Sequence, residues 1–369
     1  MVVTSRVLVT GMAWDTALGA GLDDVWSALL SGASGIRPVP SAHKVRNELA
    51  AVVPDLPEDY RERQQALGLR ALRSAVADAG LELSDPRLQL VVGTSYGPDL
   101  DAPDSLARWG DELGAAAGVP TVTVSTACSA GSDAVLVGAA LIADGVTDIC
   151  VVGGVDILTP AKRLGHSLLG TMSPTTLRAF DTARDGMLLG EGAAFLVLES
   201  AESAAHRWAR VYGAVSGAGS ANDAHGATAP DPSGDTVVRA METALRSAGR
   251  DASEVAVLNA HGSGTPVNDD VESLSFRRMF KPAPDGPVVF ATKGAFGHTL
   301  GATGAMEAMA VLLALRDQCV PAVPGLTEPL PDFPLRLPVH EPLAFSGAVG
   351  LSVTLGFGGF NTCLVLEAP

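Results

Sequence analysis

Four side chains in this sequence of 369 residues are placed where they could do chemistry: Cys128, His261, Lys293 and His298. Cys128 lies in "TVSTACSAGSDAV", where a β-branched run gives way abruptly to small residues, the pattern of a strand handing over to a helix. The first N–H groups of a helix lack intrahelical partners and carry partial positive charge. A cysteine there is expected to have a lowered pKa and a larger thiolate fraction, and the same N–H groups can hold an oxyanion. That combination is the equipment of a nucleophile. The competing assignment for a free cysteine is a small buried apolar residue. Cys150 in "DICVVGG" and Cys363 in "NTCLVLE" take that assignment, since both sit inside strands.

His261 follows an apolar strand in "VAVLNAHGSG", and Lys293 and His298 share "FATKGAFGHTLGATGA". One histidine after a strand is commonly a satisfied structural residue. Two of them, each beside glycines at the edge of an element, are harder to assign to structure alone. Lys293 is reached from the apolar run "VVFATKG" and is expected to point into a cleft. Glu307 needs a partner if it is buried, and Lys293 is a candidate.

Two segments must position these groups. Residues 129–143 and 299–315 are apolar or small on every side, with Asp133 and Glu307 as their single charges. Helices of that kind are buried all round, so both are expected at the centre of a layered α/β fold. Residues 61–80 have a mixed face and read as an outer helix. The chain also repeats itself. "GEGAAFLVLES" near Ser200 and "GFNTCLVLEAP" at the C-terminus both end on Leu-Val-Leu-Glu, and the junctions "LVVGTSYG" and "VAVLNAHGSG" precede them. The distance from Gly93 to Glu199 is 106 positions and that from Ala260 to Glu367 is 107. The expectation is two halves of one architecture, 1–200 and 201–369.

Composition narrows the function classes. Hydrophobic residues make up 47% and charged residues 18%, which suits a well-filled core rather than disorder. A net charge of −16 argues against a general nucleic-acid-binding surface, and an acidic partner would need a local basic patch. The four cysteines fit neither a zinc motif nor a secreted disulfide framework. The N-terminus lacks a signal-peptide pattern, and no apolar run approaches the ~20 residues needed to cross a bilayer. A soluble, cytoplasmic protein is expected.

With these residues in place, the sequence resembles β-ketoacyl-(acyl-carrier-protein) synthases, the decarboxylating, two-histidine condensing enzymes of the thiolase superfamily. The likeness runs nearly end to end: "VLVTGMAWDTALGAGLDDVWSALLSGASGIRPV", "STACSAG", "FDTARDGMLLGEGAAFLVLE", "NDAHGATAPDPSG", "NAHGSGTPVND", "TKGAFGHTLGATGAMEA" and "LGFGGFNTCLVLE" follow in the family's order. It implies an α/β thiolase fold with duplicated halves in stacked α-β-α-β-α layers, and a homodimer or a heterodimer with a ketosynthase-like subunit. It implies Cys128 as acyl-accepting nucleophile and His261 and His298 as the active-site histidines, supported by Lys293 and Glu307. Phe357 would gate the acyl pocket and join its N–H to that of Cys128 in an oxyanion hole. Ser263 and Thr265 would hold a pantetheine arm. The enzyme would bind no metal or cofactor of its own, its substrates arriving on the phosphopantetheine of an acyl carrier protein.

Two alternatives stay open at this level: a non-decarboxylating acyltransferase using Cys128, and a structural partner subunit. Cys363 lies inside the last strand, a poor match to the second catalytic cysteine of thiolases. The 35 positions from Gly93 to Cys128 are fewer than typical members have, which bears on the dimer surface and acyl pocket expected near 94–125. Gly294 and Ser263 stand where serine and threonine are usual. For the carrier protein, the basic pairs Arg61 with Arg63 and Lys162 with Arg163 are the docking candidates.

Overall fold

The computed structural model describes residues 7–98 and 108–369; part of the 94–125 stretch therefore lies outside the described residues. Ten strands form the main sheet: β1 (Val7–Asp15), β2 (Leu88–Gly93), β3 (Thr121–Val124), β4 (Ile149–Asp156), β5 (Gly192–Ser200), β6 (Gly213–Asn222), β7 (Val255–Asn259), β8 (Val288–Phe290), β9 (Val349–Gly356) and β10 (Phe360–Glu367). Their order across the sheet is β8-β7-β9-β10-β6-β1-β5-β4-β2-β3. The first five strands are arranged as β3-β2-β4-β5-β1 and the last five as β8-β7-β9-β10-β6, the same order with every number raised by five. Pairing repeats as well: β2 runs parallel to β3 and β4, as β7 does to β8 and β9. β5 is antiparallel to β4 and β1, as β10 is to β9 and β6. The two sets meet only where β1 pairs antiparallel with β6, Val7–Val9 against Gly213–Val215.

Among the helices that pack on this sheet are α1 (Tyr60–Asp78), α2 (Ala130–Ala143), α3 (Pro160–Leu168), α4 (Asp235–Ala248), α5 (Pro266–Met279) and α6 (Thr303–Asp317). α2 and α6 pack on each other between the two sets of strands, α2 chiefly on β4 and β2, α6 chiefly on β9, then on β5 and β7. α1 covers the outer face of β1 and β5, and α4 that of β6 and β10. This is the layered thiolase fold that the sequence resemblance implies. β5 is buried at all nine residues, as its unbroken apolar run requires of a strand covered on both faces. α1 starts where the Asp59 side chain accepts the N–H groups of Arg61 and Glu62. It buries Leu67, Ala71, Leu72, Ala75 and Val76 and leaves Arg61, Glu62 and Arg73 exposed.

The expectation of burial on every face holds along α6 up to Leu315 but fails for the second half of α2. There Ala140 and Ala143 are exposed, and Leu136 and Ala139 half-buried. They line a groove of about 900 Å³ against β6, whose facing residues Gly217, Ala218 and Gly219 are too small to fill it.

Candidate active site

The two central helices begin alike. A single 3₁₀ turn, Ala127–Ser129, precedes α2, and a second, Leu300–Ala302, precedes α6. The first residue of each, Ala127 and Leu300, takes a φ of 52°, a left-handed conformation that residues with a Cβ avoid. The bend at Ala127 carries Cys128 to the end of the sheet. Asp133 then fixes the turn: it accepts hydrogen bonds from Thr126 Oγ1 at 2.5 Å, Ser129 Oγ at 2.7 Å and, across from β10, Thr362 Oγ1 at 2.6 Å. The lone charge noted in this helix by sequence thus has a positioning task that its apolar surroundings signalled and its spacing did not reveal.

Cys128 is 3% exposed. Burial pushes its thiol up to about 11, although the Phe357 N–H directed at it and the charge of Lys293 both pull the other way. The lowered pKa expected from the helix terminus is therefore not found. A helix end contributes about 0.3–1 kcal/mol, too little to offset complete removal of a charged sulfur from water.

His261 lies two residues past β7, and His298 just before the second turn. Their rings meet edge to face with centroids 5.2 Å apart. His298 Nδ1 accepts the Leu300 N–H at 3.1 Å and lies 3.2 Å from Thr303 Oγ1. An accepting nitrogen carries no proton, so the neutral ring holds its proton on Nε2. That atom is buried with no hydrogen-bond partner among the described residues. Burial, then the charge of Lys293, holds both rings well below the ordinary histidine pKa, so both are neutral at pH 7.

Lys293 is buried. Its Nζ donates to the His261 carbonyl and to Glu307 Oε1, the latter at 2.5 Å. The pairing sought for Glu307 is therefore present, and burial raises that carboxyl to about 7 against the pull of Lys293. A further acid, Glu272 on α5, accepts the N–H groups of His261 and Gly262, each at 2.7 Å. Sequence reasoning missed it. Its signal was two acids, Asp269 and Glu272, three apart in the first turns of a helix that opens straight after the histidine loop.

Cys128, His261 and His298 line one cavity of about 210 Å³ together with Ser263, Thr265 and Phe357. Ser263 Oγ and Thr265 Oγ1 are 2.8 Å apart. The Phe357 ring stacks on His166 of α3 at 5.4 Å.

The basic docking candidates fare differently. Arg61 is exposed. Arg63 turns inward, its guanidinium on Glu191 at 2.7 Å and on the Val53 carbonyl at 2.7 Å. Lys162 is 2% exposed and paired with Asp156. Arg163 is buried and donates to the carbonyls of Val39, Pro40 and Glu48. Those three are structural cations whose partners lie elsewhere in the chain, not a surface patch.

Comparison with known proteins agrees with this geometry. The family model described as beta-ketoacyl synthase, N-terminal domain, matches residues 4–117 and 114–204. The corresponding C-terminal domain model matches 212–327. The N-terminal match breaks inside the stretch that looks short by sequence. The chain is 32% identical to a putative polyketide beta-ketoacyl synthase 1 of Streptomyces halstedii, covering 100% of this chain and 99% of that one. It is 30% identical to a 3-oxoacyl-[acyl-carrier-protein] synthase 2 of Coxiella burnetii over 98% of both. Among solved structures, the ishigamide ketosynthase/chain length factor superposes with a TM-score of 0.91 at 31% identity, covering 99% of this chain and 100% of that one.

Proposed function

We propose that this chain, which belongs to the β-ketoacyl synthase family of acyltransferases, performs a decarboxylative Claisen condensation with Cys128 as the acyl acceptor. The carrying observation is the convergence on one cavity of the Cys128 thiol and two neutral histidines, one of which presents a buried, unpartnered Nε2–H.

The Cys128 sulfur attacks an acyl thioester delivered on the phosphopantetheine of an acyl carrier protein. The N–H groups of Cys128 and Phe357 hold the tetrahedral oxyanion. The carrier thiol leaves with the proton, and the acyl group stays on Cys128. A malonyl-type carrier thioester then enters along Ser263 and Thr265. His261 and His298 donate to its thioester carbonyl, which stabilises the enolate formed as carbon dioxide departs. The enolate carbon attacks the acyl-cysteine, and the β-ketoacyl product leaves on the carrier. Lys293, paired with Glu307, holds the His261 loop in place through its carbonyl. The likeness to the Streptomyces halstedii synthase and to the ishigamide pair supports a polyketide-type rather than a fatty-acid setting.

Incubation with acyl carriers followed by intact mass tests the reading: an acyl adduct on Cys128 and carbon dioxide from malonyl carrier are expected. Loading without carbon dioxide release would replace condensation by simple acyl transfer. The strand β3, which leads into Cys128, forms the end of the sheet with Val122 48% exposed. A copy of this chain or a ketosynthase-like partner packing beside β3 would cover that exposed valine and continue the sheet. Light scattering at micromolar concentration is expected to give a dimer for the active species, and a fully active monomer would overturn this.

A further inference from the structure

The two histidines of the cavity are held differently from behind. His261 Nδ1 is buried with no hydrogen-bond partner among the described residues. His298 Nδ1 meets two donors, the Leu300 N–H at 3.1 Å and the Thr303 hydroxyl at 3.2 Å. The Leu300 N–H is backbone and cannot turn away, so Nδ1 carries no proton. Thr303 Oγ1 then has nothing to accept from the ring and can only donate to it. Behind Thr303 stands Thr299, whose Oγ1 is 3.1 Å from Thr303 Oγ1 and 3.3 Å from Met306 Sδ. Two hydroxyl protons are distributed along this row, and its two ends decide their direction. A thioether sulfur is a weak acceptor, whereas an unprotonated imidazole nitrogen is a good one. The row therefore runs from the Thr299 hydroxyl to Thr303 Oγ1, and from the Thr303 hydroxyl to His298 Nδ1. Thr299 and Thr303 are each 2% exposed and His298 is fully buried. Hydrogen bonds in such a chain polarise one another, and they are electrostatically stronger away from bulk water.

We propose, on the reading of His298 as a donor to the enolate, that Thr303 is a positioning residue for decarboxylation: its hydroxyl, aligned by Thr299, holds the His298 ring with Nε2–H toward the cavity and strengthens that donor. A donor at Nδ1 draws electron density from the ring, so Nε2–H binds more firmly as negative charge grows on the thioester oxygen. The same bond opposes protonation of the ring, because an imidazolium would set the Nδ1 proton against two other donors. Thr303 is not among the residues that line the cavity, so it acts through His298 and leaves acyl transfer to Cys128 alone.

The test sets Thr303→Val, which keeps the shape and drops the hydroxyl, against Thr303→Ser, which keeps the hydroxyl and drops a methyl. Carbon dioxide release from malonyl carrier protein is followed between about pH 5 and 9, with kcat and KM separated. Thr303→Val is expected to lower kcat on the order of 3–10-fold, the loss of one hydrogen bond, with KM unchanged, and to move the acid limb to higher pH. Thr303→Ser is expected to stay within about twofold of the parent with its acid limb in place. The titratable and charged groups that face the ring, Lys293, His166, His261 and Cys128, are the same in both variants, so a moved limb reports on Nδ1. In resting protein labelled with 15N-histidine, the His298 Nδ1 resonance, identified by its loss in His298→Ala, is expected to shift in Thr303→Val and to hold in Thr303→Ser. Thr303→Ala replaces the valine variant if that one does not fold, with Thr303→Ser as the control for lost bulk. A hydroxyl-free variant that matches the parent in kcat and in the Nδ1 resonance overturns this proposal alone. So does a serine variant as impaired as the valine one, which would make the role one of packing. A parent that releases no carbon dioxide overturns the decarboxylation reading, and this proposal with it.

Discussion

The turn that carries Cys128 and the turn that follows His298 are the same piece of backbone used for opposite purposes. Both have a left-handed first residue, a 3₁₀ turn of three residues and a buried helix behind. At the middle position the first turn has Cys128 and the second has Gly301. The first exposes a sulfur to the cavity. The second closes against the other half of the molecule: a Cβ on Gly301 would stand 2.4 Å from the Ser95 nitrogen. The neighbouring loops diverge in step. Two residues past β2 stands Ser95, and two past β7 stands His261. A duplicated frame thus supplies two equivalent launching points, and side chains alone decide that one holds Cys128, the proposed nucleophile, while the other follows His298.

The widest separation between the two turns comes from dividing the reaction. Cys128→Ala is expected to abolish acyl loading outright, since no sulfur remains, yet to keep releasing carbon dioxide from malonyl carrier. His298→Ala is expected to load, with decarboxylation and condensation falling on the order of 10²–10³-fold, the usual loss for one preorganised donor. Intact mass and carbon dioxide capture, on variants shown to be folded by thermal melting, read both effects. A folded His298→Ala enzyme that decarboxylates like its parent would dissolve the division of labour.

A smaller effect sharpens the same contrast through pH. With burial holding the Cys128 thiol up at about 11, its thiolate fraction grows about tenfold per pH unit at any pH well below that value. Alkylation of Cys128 by iodoacetamide, located by peptide mass, is therefore expected to climb steadily between pH 7 and 9 without levelling. A plateau near pH 8 would mean that the helix end, and not burial, sets the thiol.

What sequence could and could not reveal follows the range of the interactions concerned. Cys128, His261 and His298 were legible because each stands at a strand or helix junction with small neighbours, a local pattern. The repeated halves were legible because equal spacings survive in a linear string, and the strand order repeats accordingly. The inward turn of Arg63 was not legible: its partner Glu191 is 128 positions away. The same holds for Arg163, whose acceptors are backbone carbonyls at Val39, Pro40 and Glu48. The direction of the Cys128 pKa was misjudged because helix position is a local signal, whereas burial is a property of the assembled layers. Lys293 with Glu307 lies between these cases. Two lone charges in apolar segments suggested a pair, and only the fold could place them 2.5 Å apart.

The smallest effect concerns the bend that both turns share. Ala127 holds a φ of 52° at a cost of about 1–2 kcal/mol relative to ordinary helical backbone. Glycine adopts that conformation without strain but gains freedom in the unfolded chain, worth about 0.4–1 kcal/mol. Ala127→Gly should therefore leave stability within about 1 kcal/mol of the parent, on the stabilising side, when read from urea unfolding. The same exchange at Leu300 is not equivalent, because that side chain is 1% exposed and its removal forfeits core packing. If the strain at Ala127 serves to hold the sulfur, the glycine variant should load acyl groups a few-fold more slowly while being no less stable. A variant that loses more than about 1 kcal/mol would show that the first turn is not strained at all, and the parallel with Leu300 would then be one of shape without shared energetics.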